Sequence, residues 1–299
     1  MAAVHSPKAA GKVVLVTGAS AGIGRAVARE LARQGYGRLA LTARRGDRLE
    51  QLAAELRPLG VEVETIVADL EDAAAPEFIV ARTLGRFGGI DVLINNAGFG
   101  LPTVFTEADP DDIRRQLQVV FIAPLLLTRL ALPSLIERRG TIINVGSAIT
   151  YLANSGLGAY GAAKAGLGYW NDAVRRELVN KGVKVCLVEP GPVKTEFFDT
   201  LMTLAPPGGR YNPLLDAPMP WMSARVEDVA QRIVRLIERP KRRLQVLRRV
   251  VWPFRLFGAL LRICPPLGDL AFANLTQHLE RRGDLCRRPP QVGDVRTRE

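Results

Sequence analysis

Short β-branched runs alternating with helical-period segments predict an α/β fold, a parallel sheet covered on both faces by helices. Three observations carry that expectation. Strand-like and helix-like segments alternate from Val13 to Glu189 with no repeat and no low-complexity linker before Pro190. A glycine-rich turn, Thr17-Gly18-Ala19-Ser20-Ala21-Gly22-Ile23-Gly24, stands between the first strand and the first helix. The chain is 299 residues long and 47% hydrophobic, enough for a substantial core.

Residues up to about Ala10 read as a flexible tail, and Val13–Thr17 as a β-branched strand. Ile23, Val27 and Leu31 recur at helical spacing over Ile23–Arg33, with Gly35 placed to end the helix. Leu39–Ala43 is a second strand, and a Leu/Ala/Glu-rich helix runs from about Arg48 to Pro58. Val61–Ala68 alternates apolar and polar, a third strand ending at Asp69. No element is read between Asp69 and Asp91. Asp91–Asn95 is a strand, Asp111–Ser134 one long helix, Gly140–Val145 a strand, Ala159–Asn180 a helix and Val183–Glu189 a buried strand. Thr195–Met222, with five prolines and two glycines, is too long and irregular for an ordinary connection and reads as a lid. Val226–Arg239 restores a helix, and Leu244–Val251 reads as a last strand. The domain division is therefore a tail over 1–10, a dinucleotide-binding domain over 11–251 with its lid at 195–222, and a basic extension over 252–299.

Composition excludes several classes. Three widely spaced cysteines argue against a disulfide framework and fit a reducing, cytoplasmic compartment. His5 and His278 both lie outside the motif-bearing region, so a Ser-His-Asp hydrolase or a His-ligated zinc site is not expected. No signal peptide and no run of about 18 uncharged apolar residues is found, so no membrane-crossing helix is expected. The net charge is +11, and residues 239–299 hold 14 Lys/Arg against 5 Asp/Glu, or +9 of it. A basic end of that kind suits nucleic acid, an anionic membrane or solubility.

Chemistry concentrates at strand ends. Small residues at Gly18, Gly22 and Gly24 let the backbone approach a pyrophosphate favoured by a helix N-terminus, with Ser20 and Ile23 as further cofactor-binding candidates in the same turn. About twenty residues further, where NAD-selective folds carry an acid, stands Ala43-Arg44-Arg45. An arginine suits a 2′-phosphate by charge and by its planar donor fork, which favours NADP(H) over NAD(H). Asn95-Asn96-Ala97-Gly98 leaves a strand toward the same crevice, as does Pro190-Gly191-Pro192-Val193-Lys194-Thr195, where Thr195 could meet a carboxamide. Ser147 follows the Gly140–Val145 strand. Tyr160 and Lys164, four apart, share one helix face, and a cation beside a phenol favours the phenolate.

Together these residues resemble the short-chain dehydrogenase/reductase family over roughly Lys12–Val251. The resemblance implies a Rossmann sheet of about seven parallel strands, an NAD(P) cofactor and a homo-oligomer. It further implies that Tyr160 is the acid-base residue, Lys164 lowers its pKa and binds the nicotinamide ribose, and Ser147 holds the substrate oxygen. Asp69 would lie near the adenine, and Asn96 would support the cofactor wall. One position departs from the pattern: Val120 stands where the family carries a relay asparagine, with Gln118 nearby.

Val250–Ile263 is apolar and aromatic, with Arg248, Arg249, Arg255 and Arg262 at near-heptad spacing. It suits a helix lying in a membrane interface, or equally one packed over the pocket or an oligomer partner. Nucleic acid is not expected, because no binding module accompanies the charge. With the apolar lid residues Phe197, Phe198, Leu201, Met202, Leu204 and Trp221, it points to a hydrophobic, lipid-like carbonyl or alcohol substrate, without metal. The expected function is an NADPH-dependent reductase of a ketone or aldehyde. The alternatives are a non-catalytic NADP(H) sensor, kept open by Val120, and a scaffold, which would not require Ser147, Tyr160 and Lys164 together.

Overall fold

The computed structural model describes residues 7–103, 105–153, 156–197, 223–264 and 266. Seven strands form one parallel sheet: β1 (Val13–Thr17), β2 (Arg38–Ala43), β3 (Glu62–Val67), β4 (Val92–Asn95), β5 (Thr141–Val145), β6 (Lys184–Glu189) and β7 (Arg243–Gln245). Their spatial order is β3-β2-β1-β4-β5-β6-β7. The winding reverses between β1 and β4, and in such sheets the crevice opens there, at the carboxyl ends of the strands.

The helices are α1 (Pro7–Ala10), α2 (Gly22–Arg33), α3 (Gly46–Leu56), α4 (Ala75–Phe87), α5 (Pro110–Leu117), α6 (Ala123–Glu137), α7 (Gly158–Leu178), α8 (Val226–Glu238) and α9 (Arg248–Ile263). Every residue of β1 is buried, yet its side chains divide by parity. Val14 and Val16 join the core under α2, α3 and α8, with Leu31, Leu52 and Ile233. Leu15 joins the opposite core under α4 and α6, with Ile79, Leu127 and Leu135. The period-2 pleat thus makes one β-branched run serve two cores. Each such side chain stabilises the fold by roughly 1.5–3 kcal/mol.

The structure corrects several sequence expectations. α4 occupies the stretch where no element is read, because Pro76 and Gly85 look like breakers. Pro76 stands in the first turn, where its missing N–H interrupts nothing. The helix expected over Asp111–Ser134 is α5 and α6 joined through a π turn at Gln118–Ile122. The stretch Pro110–Glu137 is long enough, and apolar enough over part of its length, to cross a membrane by composition alone, although Arg129 interrupts its apolar run. In the fold Val120, Leu127 and Leu135 are fully buried, whereas Ile122, Leu126 and Leu130 are exposed.

The last strand is only three residues long, paired from Leu187↔Arg243 to Glu189↔Gln245. Its partner β6 ends before Pro190, which has no N–H to extend a ladder. Beyond it the chain turns into α9 at Arg248, so the boundary expected at Val251 falls inside a helix. Helix α1 falls within the supposed N-terminal tail, and its Ala9 is buried. Phe198, Leu201, Met202, Leu204 and Trp221 of the expected lid lie outside the described residues, as does Glu280–Glu299.

Candidate active site

A cavity of about 520 Å³ opens at the carboxyl ends of the central strands. Its lining includes Gly18, Ser20, Gly22 and Ile23 after β1, Arg44 after β2 and Asp69 after β3. Asn96, Ala97 and Gly98 follow β4, Ser147 follows β5, and Pro190, Gly191, Val193 and Thr195 follow β6. Tyr160 and Lys164 reach it from α7. Residues spread over 178 positions of sequence meet because every parallel strand delivers its C-terminus to the same edge.

The glycine turn is held open by packing. Gly18 has φ +67° and Gly22 φ +51°, a region that side chains rarely adopt. Gly24 does not line the cavity. It packs behind the turn, where a Cβ would lie 2.3 Å from Gly18 O and 2.7 Å from Asn96 Nδ2. Asn96 braces the same turn by donating Nδ2 to Thr17 O at 2.9 Å, while its N–H donates to Thr17 Oγ1 at 3.0 Å. Thr42 Oγ1 is buried on the cavity wall with no hydrogen-bond partner. A turn with a Cβ crowded out at Gly18 and Gly24, at the N-terminus of α2, fits a dinucleotide pyrophosphate.

Two features fix α7. Asn144 of β5 donates Nδ2 to Asn171 Oδ1 at 3.0 Å and accepts from Asn95 Nδ2 of β4 at 2.9 Å. Buried amides need partners, so this ladder pins the helix to the sheet two turns beyond Lys164. Lys164 itself donates Nζ to Val145 O at 2.6 Å. Ser147 stands in extended conformation and accepts from Ile149 N at 3.2 Å, capping a 3-10 turn at Ala148–Tyr151.

Tyr160 is buried, hydrogen-bonded with Ser147, and its ring lies 5.9 Å from Lys164 Nζ and 5.7 Å from the Phe197 ring. The sequence leads one to expect a phenol made more acidic by the lysine. In this site burial outweighs the neighbour: it pushes Tyr160 up to about 12, against the lowering effect of Ser147. The same desolvation pushes Lys164 down to about 8.

Val120 is fully buried beside Tyr160 and Ala163, and a Cβ at Gly98 would lie 3.6 Å from both Val120 Cγ2 and Lys164 Nζ. Gln118 does not take the position over: its Nε2 is buried without a hydrogen-bond partner and it does not line the cavity. Arg44 stands at the rim, paired with Glu71 at 3.1 Å and Asp69 at 3.6 Å. Arg45 and Glu196 also line the cavity. Glu196 carries no signal in the sequence, because its partners lie about 150 positions away.

The model of the family described as short chain dehydrogenase matches residues 12–203. Serine 3-dehydrogenase of Agrobacterium fabrum is 36% identical over 185 residues, covering 62% of this chain and 73% of that protein. The 3-oxoacyl-[acyl-carrier-protein] reductase of Bos taurus is 33% identical over 234 residues, covering 77% and 92%. Among solved structures, a short chain dehydrogenase from Burkholderia cenocepacia in complex with NADP superposes with a TM-score of 0.69 at 31% identity, covering 79% of this chain and 96% of that one.

Proposed function

The chain belongs to the short-chain dehydrogenase/reductase family, and from that premise we propose that it is an NADP(H)-dependent oxidoreductase interconverting a hydrophobic ketone or aldehyde and its alcohol. The observation that carries this reading is the meeting of Ser147, Tyr160 and Lys164 on one cavity with the glycine cradle. NADP(H), when bound, supplies or takes up the hydride. The cradle from Gly18 to Ile23 and the β4 and β6 ends through Thr195 would hold it, and Arg44 with its neighbours would supply the charge for a 2′-phosphate. Ser147 fixes the substrate oxygen by hydrogen bonding, and Tyr160 gives that oxygen its proton on reduction or removes it on oxidation. Lys164 holds positive charge beside the phenol, which favours the phenolate left behind.

The substrate end of the cavity supports the hydrophobic assignment, being lined by Ile149, Leu152, Leu157 and Phe197. NADPH oxidation by the purified protein across carbonyls of increasing chain length tests it, with turnover expected to rise with length. Better turnover of small polar carbonyls would overturn the substrate class. Binding of NADPH with no turnover of any carbonyl would favour the sensor reading that Val120 supports.

The proposal places the enzyme in the cytoplasm at a membrane surface, as a homo-oligomer. α9 seats Gly258 so closely on Tyr151 O that a Cβ would lie 1.8 Å away. Its outer side exposes Trp252, Leu256, Phe257, Leu260 and Ile263. Apolar residues beside a strongly basic chain end suit an anionic bilayer. The protein is expected to co-sediment with phosphatidylserine vesicles but not with purely zwitterionic ones, and Leu256→Glu with Leu260→Glu to release it. Identical sedimentation of the double variant would exclude this face. The exposed Ile122 at the end of the π turn, with Leu126 and Leu130 at successive four-residue steps on α6, supports the oligomer.

A further inference from the structure

Glu196 binds two guanidinium groups beside the glycine cradle. Arg48 donates Nη1 to both of its carboxylate oxygens, at 2.8 Å and 2.7 Å, and Arg45 donates Nη1 to Oε2 at 3.2 Å. Arg45 also reaches back into the glycine turn, donating Nε and Nη2 to Ser20 Oγ at 3.4 Å and 3.2 Å. Arg45, Ser20 and Glu196 all line the cavity. Two guanidinium groups converging on one anion, beside the cofactor cradle, form the donor arrangement that recognises a phosphate monoester.

We propose that Glu196 is a specificity-determining residue: its carboxylate competes with the cofactor 2′-phosphate for Arg45 and Arg48, so that 2′-phosphorylated cofactor binds only by displacing it. This deepens the NADP(H) reading and rests on it. A phosphate monoester near neutral pH carries about −1.5 to −2 charge. It therefore outbids a carboxylate of charge −1 for the same donors, yet cannot share them at close range without repulsion. Arg44 offers no equivalent choice, because Glu71 and Asp69 beside it belong to the β3 end and Glu71 is also held by Arg115 at 2.8 Å. Glu196 instead lies at the start of the 195–222 segment, between Thr195, which packs on Gly22, and Phe197, which packs on Tyr160. Arg48 and Arg45 hold the Glu196 carboxyl below the usual carboxylate range, so it is charged throughout neutral pH.

The test is calorimetric binding of 2′,5′-ADP and of 5′-AMP, which differ only in the 2′-phosphate, to the wild type and to Glu196→Gln. Exposed ion pairs are worth about 0.2–1 kcal/mol, so Glu196→Gln is expected to tighten 2′,5′-ADP by up to about fivefold and leave 5′-AMP unchanged. In an Arg48→Gln background that gain should shrink. Equal changes for both ligands, or none, would overturn the competition. A wild type that prefers 2′,5′-ADP, with no gain in Glu196→Gln, overturns the competition and leaves the NADP(H) reading intact. A preference that emerges only in Glu196→Gln supports the competition and overturns the NADP(H) preference of the wild type.

Discussion

Tyr160→Phe is expected to lower carbonyl reduction by about 10²–10⁴-fold, the usual contribution of a positioned general acid. NADPH affinity and melting temperature should stay near the wild-type values. The substitution removes one hydroxyl and keeps the ring against Phe197 and Val120. The hydroxyl alone can protonate the substrate oxygen, so loss of turnover with retained binding separates chemistry from architecture. Turnover within threefold of the wild type would remove Tyr160 from the mechanism.

The pH profile adds a second readout. With Tyr160 pushed up to about 12, the phenol is protonated, and so competent for reduction, across the neutral range. Lys164, pushed down to about 8, is charged below that pH and neutral above it. Reductive kcat/KM is therefore expected to be level from pH 6 to about 7, to halve near pH 8 and to fall further above it, as the cation that favours phenolate is lost. A profile rising through pH 8 would contradict that assignment.

Gly24→Ala is expected to have the second largest effect. The new methyl would lie 2.3 Å from Gly18 O, a backbone atom, and 2.7 Å from the Asn96 amide that braces the turn. The contact with Gly18 is with backbone, which no side-chain rotation relieves, so the strand–turn–helix unit must shift. Overpacking of this kind costs typically 1–3 kcal/mol, and the shift falls on the backbone that would meet the pyrophosphate. Loss of NADPH binding by more than tenfold, with a lower melting temperature, is the expected result. Gly161→Ala is the control: it lies in α7 beside Tyr160, a Cβ there meets nothing within 4 Å, and helix propensity favours alanine by about 1 kcal/mol. Wild-type stability and binding in Gly24→Ala would show that the turn tolerates a side chain.

The strands and most helices were legible because their signals are local. Val13–Thr17 reads as a buried strand from its β-branched run, and Tyr160 with Lys164 reads as one helix face from spacing alone. α4 was illegible because Pro76 and Gly85 carry breaker signals whose effect depends on position within the helix. The 244–251 run misled because its strand propensity is real, but a strand extends only as far as its partner. β6 turns away at Pro190, and Gln245 is the last residue it can pair.

The sequence by itself determined which residues the sheet would deliver to the cavity. Strand ends, the glycine turn and the four-residue spacing follow from periodicities the chain carries within a few positions. Only the tertiary structure decided how those residues stand to one another. It put Asn96 under the glycine turn, closed Glu196 onto Arg45 and Arg48, and seated Gly258 against Tyr151. It also set the burial of Tyr160 and Lys164. Spacing brings a cation near a phenol, but burial depends on everything packed around both, and here desolvation is the larger effect.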